Sequence, residues 1–268
     1  MTIQELFDLK GRTALVTGGS IGLGKQMAEG LAEAGADIAI ASRRKELGDT
    51  AAKELERYGI TAKAYGMDVT DRKSVIRTVA EATRDFGTID ILINNAGISL
   101  ENPLGTDKEN LDTWNKVLAV NITGVYLCSS AVVPAMKSKR YGKIINIVSI
   151  YGANGLDRSL YVESMDDPFA LHAYTASKGA VANFTRDLAA SLGRFNINVN
   201  GILPATFVTD QNRHILPQEV LLKIEARTPL GRTGGDDDLK GAAVFLASEA
   251  SKYITGHLLA VDGGWLCW

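Results

Sequence analysis

The chain has 268 residues, 46% of them apolar and 22% charged, with a net charge of -2. That composition describes an ordinary soluble globular protein with a core large enough to need no staple, and the absence of a basic run excludes a nucleic-acid partner. Two distant cysteines, Cys128 and Cys267, fit a reducing cytoplasm better than a disulfide scaffold, and His172, His214 and His257 lack metal-ligand spacing, so no metal is expected.

Met1 to Lys10 carries Glu5 and Asp8 and no apolar segment of signal-peptide type. The longest apolar stretches look strand-sized, too short to span a bilayer, so no membrane partner is expected. Thr13 to Thr17 predicts a strand, and Gly22 to Glu33 a helix with Leu23, Met27 and Leu31 on one face. Asp37 to Ala41 is the next strand and Glu46 to Tyr58 the next helix. Thr61 to Met67 is a strand, followed by a helix from Asp71, an N-cap acid, to Phe86. Ile89 to Asn94 is nearly all apolar, as a strand buried on both faces should be. A helical region near Leu111 to Met136 leads to a strand at Lys143 to Val148. A helix carrying Tyr174 and Lys178 continues through Val181, Phe184, Leu188 and Leu192. Asn198 to Leu203 and Leu258 to Val261 are the last strands, with a helix near Asp237 to Ala247 between them.

This alternation predicts an α/β fold, a doubly wound, Rossmann-like parallel sheet of seven strands in a single domain spanning 1–268. Gly152 to Ala170 and Pro204 to Pro217 are irregular and follow strands. Both belong at the carboxyl edge of the sheet, where open α/β folds bind ligands.

Two patterns carry chemistry. Thr17-Gly18-Gly19-Ser20-Ile21-Gly22-Leu23-Gly24 links the first strand to the first long helix. Glycines there let backbone approach a pyrophosphate, and the helix N-terminus faces its charge. The second strand then ends in Ser42-Arg43-Arg44, where an NAD site usually carries an acid. A hydroxyl and two guanidiniums suit a 2′-phosphate instead, so NADP(H) is favoured and NAD(H) is possible. The other pattern is Tyr174-Thr175-Ala176-Ser177-Lys178, which sets a phenol and an ammonium on one helix face. A nearby positive charge favours phenolate and lowers the tyrosine pKa, so the pair can pass a proton to or from a carbonyl oxygen near neutrality.

With Asn94-Asn95-Ala96-Gly97, Asn121 and Ser149 in order between them, these motifs resemble the short-chain dehydrogenase/reductase family over about Leu9 to Trp265. Within it the chain resembles the group of gluconate 5-dehydrogenases and 3-oxoacyl-carrier-protein reductases, on Leu6-Phe7-Asp8-Leu9 and Val261-Asp262-Gly263-Gly264-Trp265. The resemblance implies that Tyr174 is the general acid/base and that Lys178 lowers its pKa and binds the nicotinamide ribose. Ser149 would hydrogen-bond the substrate oxygen, and Asn121 would hold a water linking Lys178 to solvent. It also implies cofactor contacts. Gly18, Ser20, Ile21, Gly22, Leu23 and Gly24 would meet the phosphates, and Ser42 and Arg43 the adenine ribose. Asp68 and Val69 would meet the adenine, and Asn95, Ala96 and Gly97 the adenine ribose. Pro204, Phe207 and Thr209 would lie by the carboxamide and phosphates. A homotetramer or dimer through the helices at Leu111–Met136 and Tyr174–Gly193 is implied as well.

The chain departs from the family in three places. Ser149 and Tyr174 are 25 residues apart, a longer gap than the resemblance leads one to expect, through an insertion at about 153–170. Its Tyr161, Glu163, Asp166, Asp167 and Phe169 make it a candidate substrate lid. Ala205 replaces a family glycine, and Ile21 stands where many NADP-binding relatives carry a basic residue. The apolar end, Trp265-Leu266-Cys267-Trp268, is expected to bury at a subunit interface. The functional expectation is an NAD(P)-dependent enzyme moving hydride between nicotinamide and a small polar ketone or secondary alcohol, such as a sugar acid or polyol. Reduction of 3-oxoacyl thioesters or hydrophobic cyclic ketones is the alternative, and a non-catalytic cofactor-binding protein a third.

Overall fold

The computed structural model describes residues 1–102, 104, 110–161, 170–209 and 216–268. A one-turn helix α1 (Ile3–Phe7), closed by a Thr2–Glu5 capping box, precedes β1 (Thr13–Thr17). Strands and helices then alternate through α2 (Gly22–Glu33), β2 (Asp37–Ser42), α3 (Lys45–Leu55), β3 (Ala62–Gly66), α4 (Arg72–Phe86) and β4 (Ile91–Asn94). Next come α5 (Leu111–Leu118) and α6 (Gly124–Lys139), joined without a break by a π turn at Ala119–Thr123. The order continues with β5 (Gly142–Ile147), α7 (His172–Leu192), β6 (Ile197–Pro204), α8 (Gln218–Arg227), α9 (Lys240–Ala247) and β7 (Leu258–Val261).

All seven strands are parallel, in the order β3-β2-β1-β4-β5-β6-β7. The expected doubly wound sheet is therefore present. β1, β4, β5 and β6 are buried along their whole length. Helices cover both faces, so such strands read as apolar runs rather than alternating ones. Met27, Leu31 and Leu246, from α2 and α9, pack on one face with Ile38 and Ile145. Val75, Val132, Met136 and Leu192, from α4, α6 and α7, pack on the other with Leu92 and Val199. The chain runs outward from β1 in one direction and from β4 in the other. The loops after these two strands therefore diverge and leave a crevice at the carboxyl edge.

Several elements differ from the sequence reading. Asp71 caps α4 as expected, accepting from the Lys73 N–H, but α1 and α8 were not anticipated. The apolar stretches are not all strand-sized. Leu111–Lys139 is one helical run of 29 residues containing an 18-residue stretch of mean hydropathy 1.7, long and apolar enough to cross a membrane by length and composition. Its small polar residues, such as Ser129 and Ser130, hide it from a count of consecutive apolar residues. Here α6 packs on α4, β4 and β5, and α5 packs on α7. Trp265 does not await a second subunit. It is buried within its own chain against Val220 and Ile224 of α8, while Trp268 stays exposed.

Candidate active site

The turn after β1 is built for close approach. Gly18 has φ +63°, and a Cβ there would stand 2.9 Å from Asn95 Nδ2 and 3.2 Å from Ala96 Cα. A Cβ on Gly24 would lie 2.3 Å from the Gly18 carbonyl oxygen, a separation real side chains do not reach. Gly22 opens α2 at φ +56°. Asn95 Nδ2 donates to the carbonyls of Thr17 and Gly18 at 3.0 and 3.1 Å. Thr17 Oγ1 in return accepts from the Asn95 and Ala96 N–H groups, both at 3.0 Å. The ends of β1 and β4 are thereby locked together. The N-cap residue of α2, Ile21, supplies no side-chain acceptor. The first N–H groups of a twelve-residue helix are left to an anion, with the helix dipole behind them.

A cleft of about 610 Å³ runs from this turn to α7. Of the residues expected at the cofactor, Gly18, Ser20, Ile21 and Leu23 line it at the turn. Ser42, Arg43, Asp68 and Val69 line one end, and Asn95, Ala96, Gly97 and Pro204 the rest. Arg44, Met67, Thr70, Lys116 and Val120 also line it and were not in the expected set, although Arg44 was read as part of the basic pair. Gly22 and Gly24 shape the turn from beneath. Phe207 lies elsewhere. It is buried, bridges to Gly234 and faces a separate cavity of about 430 Å³. Gly234 gives the ring its room, since a Cβ there would come within 2.5 Å of it. Thr209 is partly buried and is not on the cleft wall. Ala205 lines the cleft, and it is not among the described residues with positive φ, which apart from glycines are Arg140 and Asn196. No glycine is needed there.

Charge is concentrated at the β2 end. Arg43 and Arg44 are exposed, and neither forms an ion pair at contact distance among the described residues. Asp68 accepts from the Thr70 N–H and hydroxyl at 2.9 and 2.7 Å. These bonds hold its carboxyl below the usual range, burial opposes them, and the Arg43 charge helps. The Ser42 hydroxyl donates to the Arg44 carbonyl at 2.9 Å and so closes this turn. Its proton is spent locally, which leaves the guanidiniums as the donors for a phosphate.

At the other end, Ser149 follows β5 and its Oγ accepts from the Tyr151 N–H at 3.2 Å. It lines the cleft together with Tyr174, and its hydroxyl is near enough to the phenol to favour the ionised form. Lys178 is 5% exposed, and its Nζ donates to the Ile147 carbonyl at 2.7 Å. It stands 5.5 Å from the centre of the Tyr174 ring. The expectation that Lys178 lowers the tyrosine pKa does not describe the chain by itself. Burial pushes the phenol up, and it is the nearby Ser149 hydroxyl that acts in the other direction. Burial also pushes the Lys178 ammonium down to about 8. With a pKa of about 8 the ammonium stays largely charged at pH 7, but it is aimed at the Ile147 carbonyl rather than at the phenol oxygen.

Asn121 sits in the π turn, 1% exposed. Its Nδ2 donates to the Ile98 carbonyl and to Ser177 Oγ at 2.9 and 3.0 Å, and its Oδ1 accepts from the Ile98 N–H at 2.8 Å. Both amide hydrogens are committed, so a water there would fall to the backbone. The side chain instead fastens the loop after β4 to the turn of α7 that carries Tyr174.

The inserted segment is described as far as Tyr161. Arg158–Leu160 form a turn capped by Asp157, and Leu160 and Tyr161 are buried. Glu163, Asp166, Asp167 and Phe169, offered above as lid residues, lie outside the described residues, as does His214.

The profile described as Enoyl-(Acyl carrier protein) reductase matches residues 18–266. The chain is 39% identical over 265 residues to 5-keto-D-gluconate 5-reductase of Escherichia coli K12, covering 98% of this chain and 99% of that one. It is 38% identical over 265 residues to gluconate 5-dehydrogenase of Gluconobacter oxydans, covering 98% of each. The crystal structure of a gluconate 5-dehydrogenase from Burkholderia cenocepacia, in complex with NADP and tartrate, superposes with a TM-score of 0.88 at 37% identity over the full length of both chains.

Proposed function

This chain belongs to the short-chain dehydrogenase/reductase family and is an NAD(P)-dependent oxidoreductase of CH–OH and C=O groups, and on that premise we propose that it interconverts a sugar acid or polyol and the matching ketone with NADP(H). The observation that carries the reading is that Ser149, Tyr174 and Lys178 line one cleft with Arg43 and Arg44. The glycine cradle, which a single Cβ would fill, and the uncapped start of α2 fit a dinucleotide pyrophosphate. Bound there, the nicotinamide supplies or accepts the hydride.

The side chains do the rest. Reduction builds negative charge on the substrate oxygen, and the Ser149 and Tyr174 hydroxyls both donate to it. Tyr174, kept protonated by burial, gives its proton to that oxygen, and in the reverse direction takes it back. Lys178 holds the nicotinamide ribose, and Asn121 keeps α7 in register through Ser177. Arg43, with Arg44 beside it, grips the 2′-phosphate. The names of the relatives, a 5-keto-D-gluconate reductase and two gluconate 5-dehydrogenases, one of them with NADP bound, support the substrate and cofactor classes.

A panel of ketones with NADPH tests this: 5-keto-D-gluconate, a ketose, a 3-oxoacyl thioester and cyclohexanone. The highest kcat/KM is expected with the sugar-acid ketone. Preference for the thioester or for cyclohexanone would move the enzyme to the alternative substrate class. Tight NADPH binding with no turnover of any carbonyl would make it a cofactor-binding protein without catalysis.

Assembly as a homotetramer is part of the same reading. Leu111 and Tyr126 are 71% and 54% exposed, and Tyr126 meets Phe184 of α7 edge-on at 6.4 Å between ring centres. Such an apolar face favours a partner helix pair. Sedimentation is expected to give four chains per particle, and a stable monomer would overturn this.

A further inference from the structure

The two ends of the cleft are carried by different parts of the chain. The end that suits a diphosphate is the start of α2, which follows β1. At the reacting end, Ile147 of β5 pairs with Ile202 of β6, so Pro204 and Ala205 leave the sheet beside Ser149, and all three line the cleft. A bound dinucleotide meets both ends at once, and hydride transfer depends on how they are spaced. The sheet fixes β1 against β6, but its ladder with β7 ends at the Pro204–Val261 pair. Past that pair, support comes from the loop before α9. The Gly234 N–H donates to the Thr206 carbonyl at 2.9 Å, and the Phe207 ring fills the space that a Cβ on Gly234 would need. Asp238 closes this loop on itself, accepting from the Gly235 N–H at 2.7 Å and from Arg232 Nη2 at 3.0 Å.

Gln26 of α2 fastens the same loop. Its side chain is buried, its Nε2 donates to the Gly235 carbonyl at 2.9 Å, and its Oε1 accepts from the Leu239 N–H at 2.8 Å. Turning the amide over would lose both bonds, so its orientation is fixed. One turn further along α2, Gly30 lets α9 come close, since a Cβ there would stand 2.8 Å from Lys240 Cβ. Lys240 Nζ in turn donates to Glu33 at 2.8 Å. Gln26, Gly235, Gly234 and Thr206 therefore form an unbroken path from the diphosphate helix to the wall beside Ser149. Gln26 itself is not on the cleft wall.

We propose that Gln26 is a positioning residue for hydride transfer: through the Gly234–Leu239 loop it holds the Ala205 wall against the start of α2, and so sets where the nicotinamide lies once the diphosphate is bound. This rests on the nicotinamide chemistry of the family and not on the sugar-acid reading.

Two variants test the path from its two sides. Gln26→Met keeps the side-chain length and removes both bonds, and Gly234→Ala presses on Phe207 at the other side of the same joint. Each is expected to lower kcat about tenfold on the ketone that the wild type reduces best, a part of the ~100-fold that a 1 Å misplacement can cost. Calorimetry with two ligands separates positioning from plain support of α2. NADPH should bind about fivefold more weakly, whereas 2′-phospho-ADP-ribose, which has the diphosphate and lacks the nicotinamide, should stay within about twofold of wild type. The double variant should fall by much less than the product of the two single falls, because both break one link. Unchanged kcat in both variants, an equal loss of both ligands, or a double variant that falls by the full product would overturn the proposal. If Gln26→Met does not fold, Gly234→Ala with the two ligands decides. An enzyme that takes NADH instead is tested with NADH and ADP-ribose, so failure of the NADP(H) reading leaves this test intact.

Discussion

Tyr174→Phe is expected to lower kcat by about 100- to 10,000-fold while NADPH still binds. Phenylalanine keeps the ring and its packing and removes the hydroxyl, and with it the proton and one of the two donors to the substrate oxygen. Ser149 still donates to the substrate oxygen, so part of the charge stabilisation survives. The wild-type pH profile carries the same information. Burial holds the phenol above its ordinary range, so it is protonated at neutral pH. Reduction, which needs the proton, should be flat near neutrality and fall as pH rises. Oxidation, which needs the base, should rise with pH over the same interval, and Lys178 loses its charge through about 8 in the cofactor-free chain. In Tyr174→Phe both slopes should disappear. Near-normal kcat in that variant, or slopes that persist in it, would assign proton transfer to another group.

How much of this was legible beforehand depends on distance along the chain. The strands and long helices were, because each is a short apolar or amphipathic run bounded by glycine, asparagine or an acid. The helix Gln218–Arg227 was missed although a signal existed: Pro217 stands just before it, Glu219 lies in its first turn, and Val220 and Ile224 are one turn apart. Positions that line the cleft because of backbone shape, such as Gly18 and Asn95, were readable from the motif. The direction of a side chain was not. Lys178 stands beside the Tyr174 ring as expected, but it donates to the carbonyl of Ile147, on a strand 31 residues earlier. Asn121 spends its amide on Ile98 and Ser177. Phe207 is drawn off the cleft by Gly234, and Asp157 of the insertion meets Arg227, 70 residues on. Spacing rules reach a few residues, and each of these partners lies beyond them.

Arg43→Ala is expected to weaken NADPH binding by about 30- to 100-fold and to change NADH binding little. A guanidinium on a phosphate makes two charge-assisted hydrogen bonds, each about 1.5–3 kcal/mol when sheltered. Arg43 is exposed, so water screens both, and a combined loss of about 2–3 kcal/mol corresponds to that range. Two local features push the effect upward. The Ser42 hydroxyl is already committed to the Arg44 carbonyl and cannot take over. Asp68, held ionised by Thr70, loses the nearby positive charge that offsets it, and then repels a 2′-phosphate. Arg44→Ala separates the two guanidiniums: a smaller fall identifies Arg43 as the principal contact, and an equal fall means that the phosphate sits between them. The readout is the ratio of kcat/KM with NADPH to that with NADH. The ratio should fall in Arg43→Ala through the KM for NADPH, because the 2′-phosphate is remote from the reacting carbon and its contacts are the same before and during hydride transfer. An unchanged ratio in both variants would leave the basic pair as a solvated start to α3 and remove the basis for preferring NADP(H).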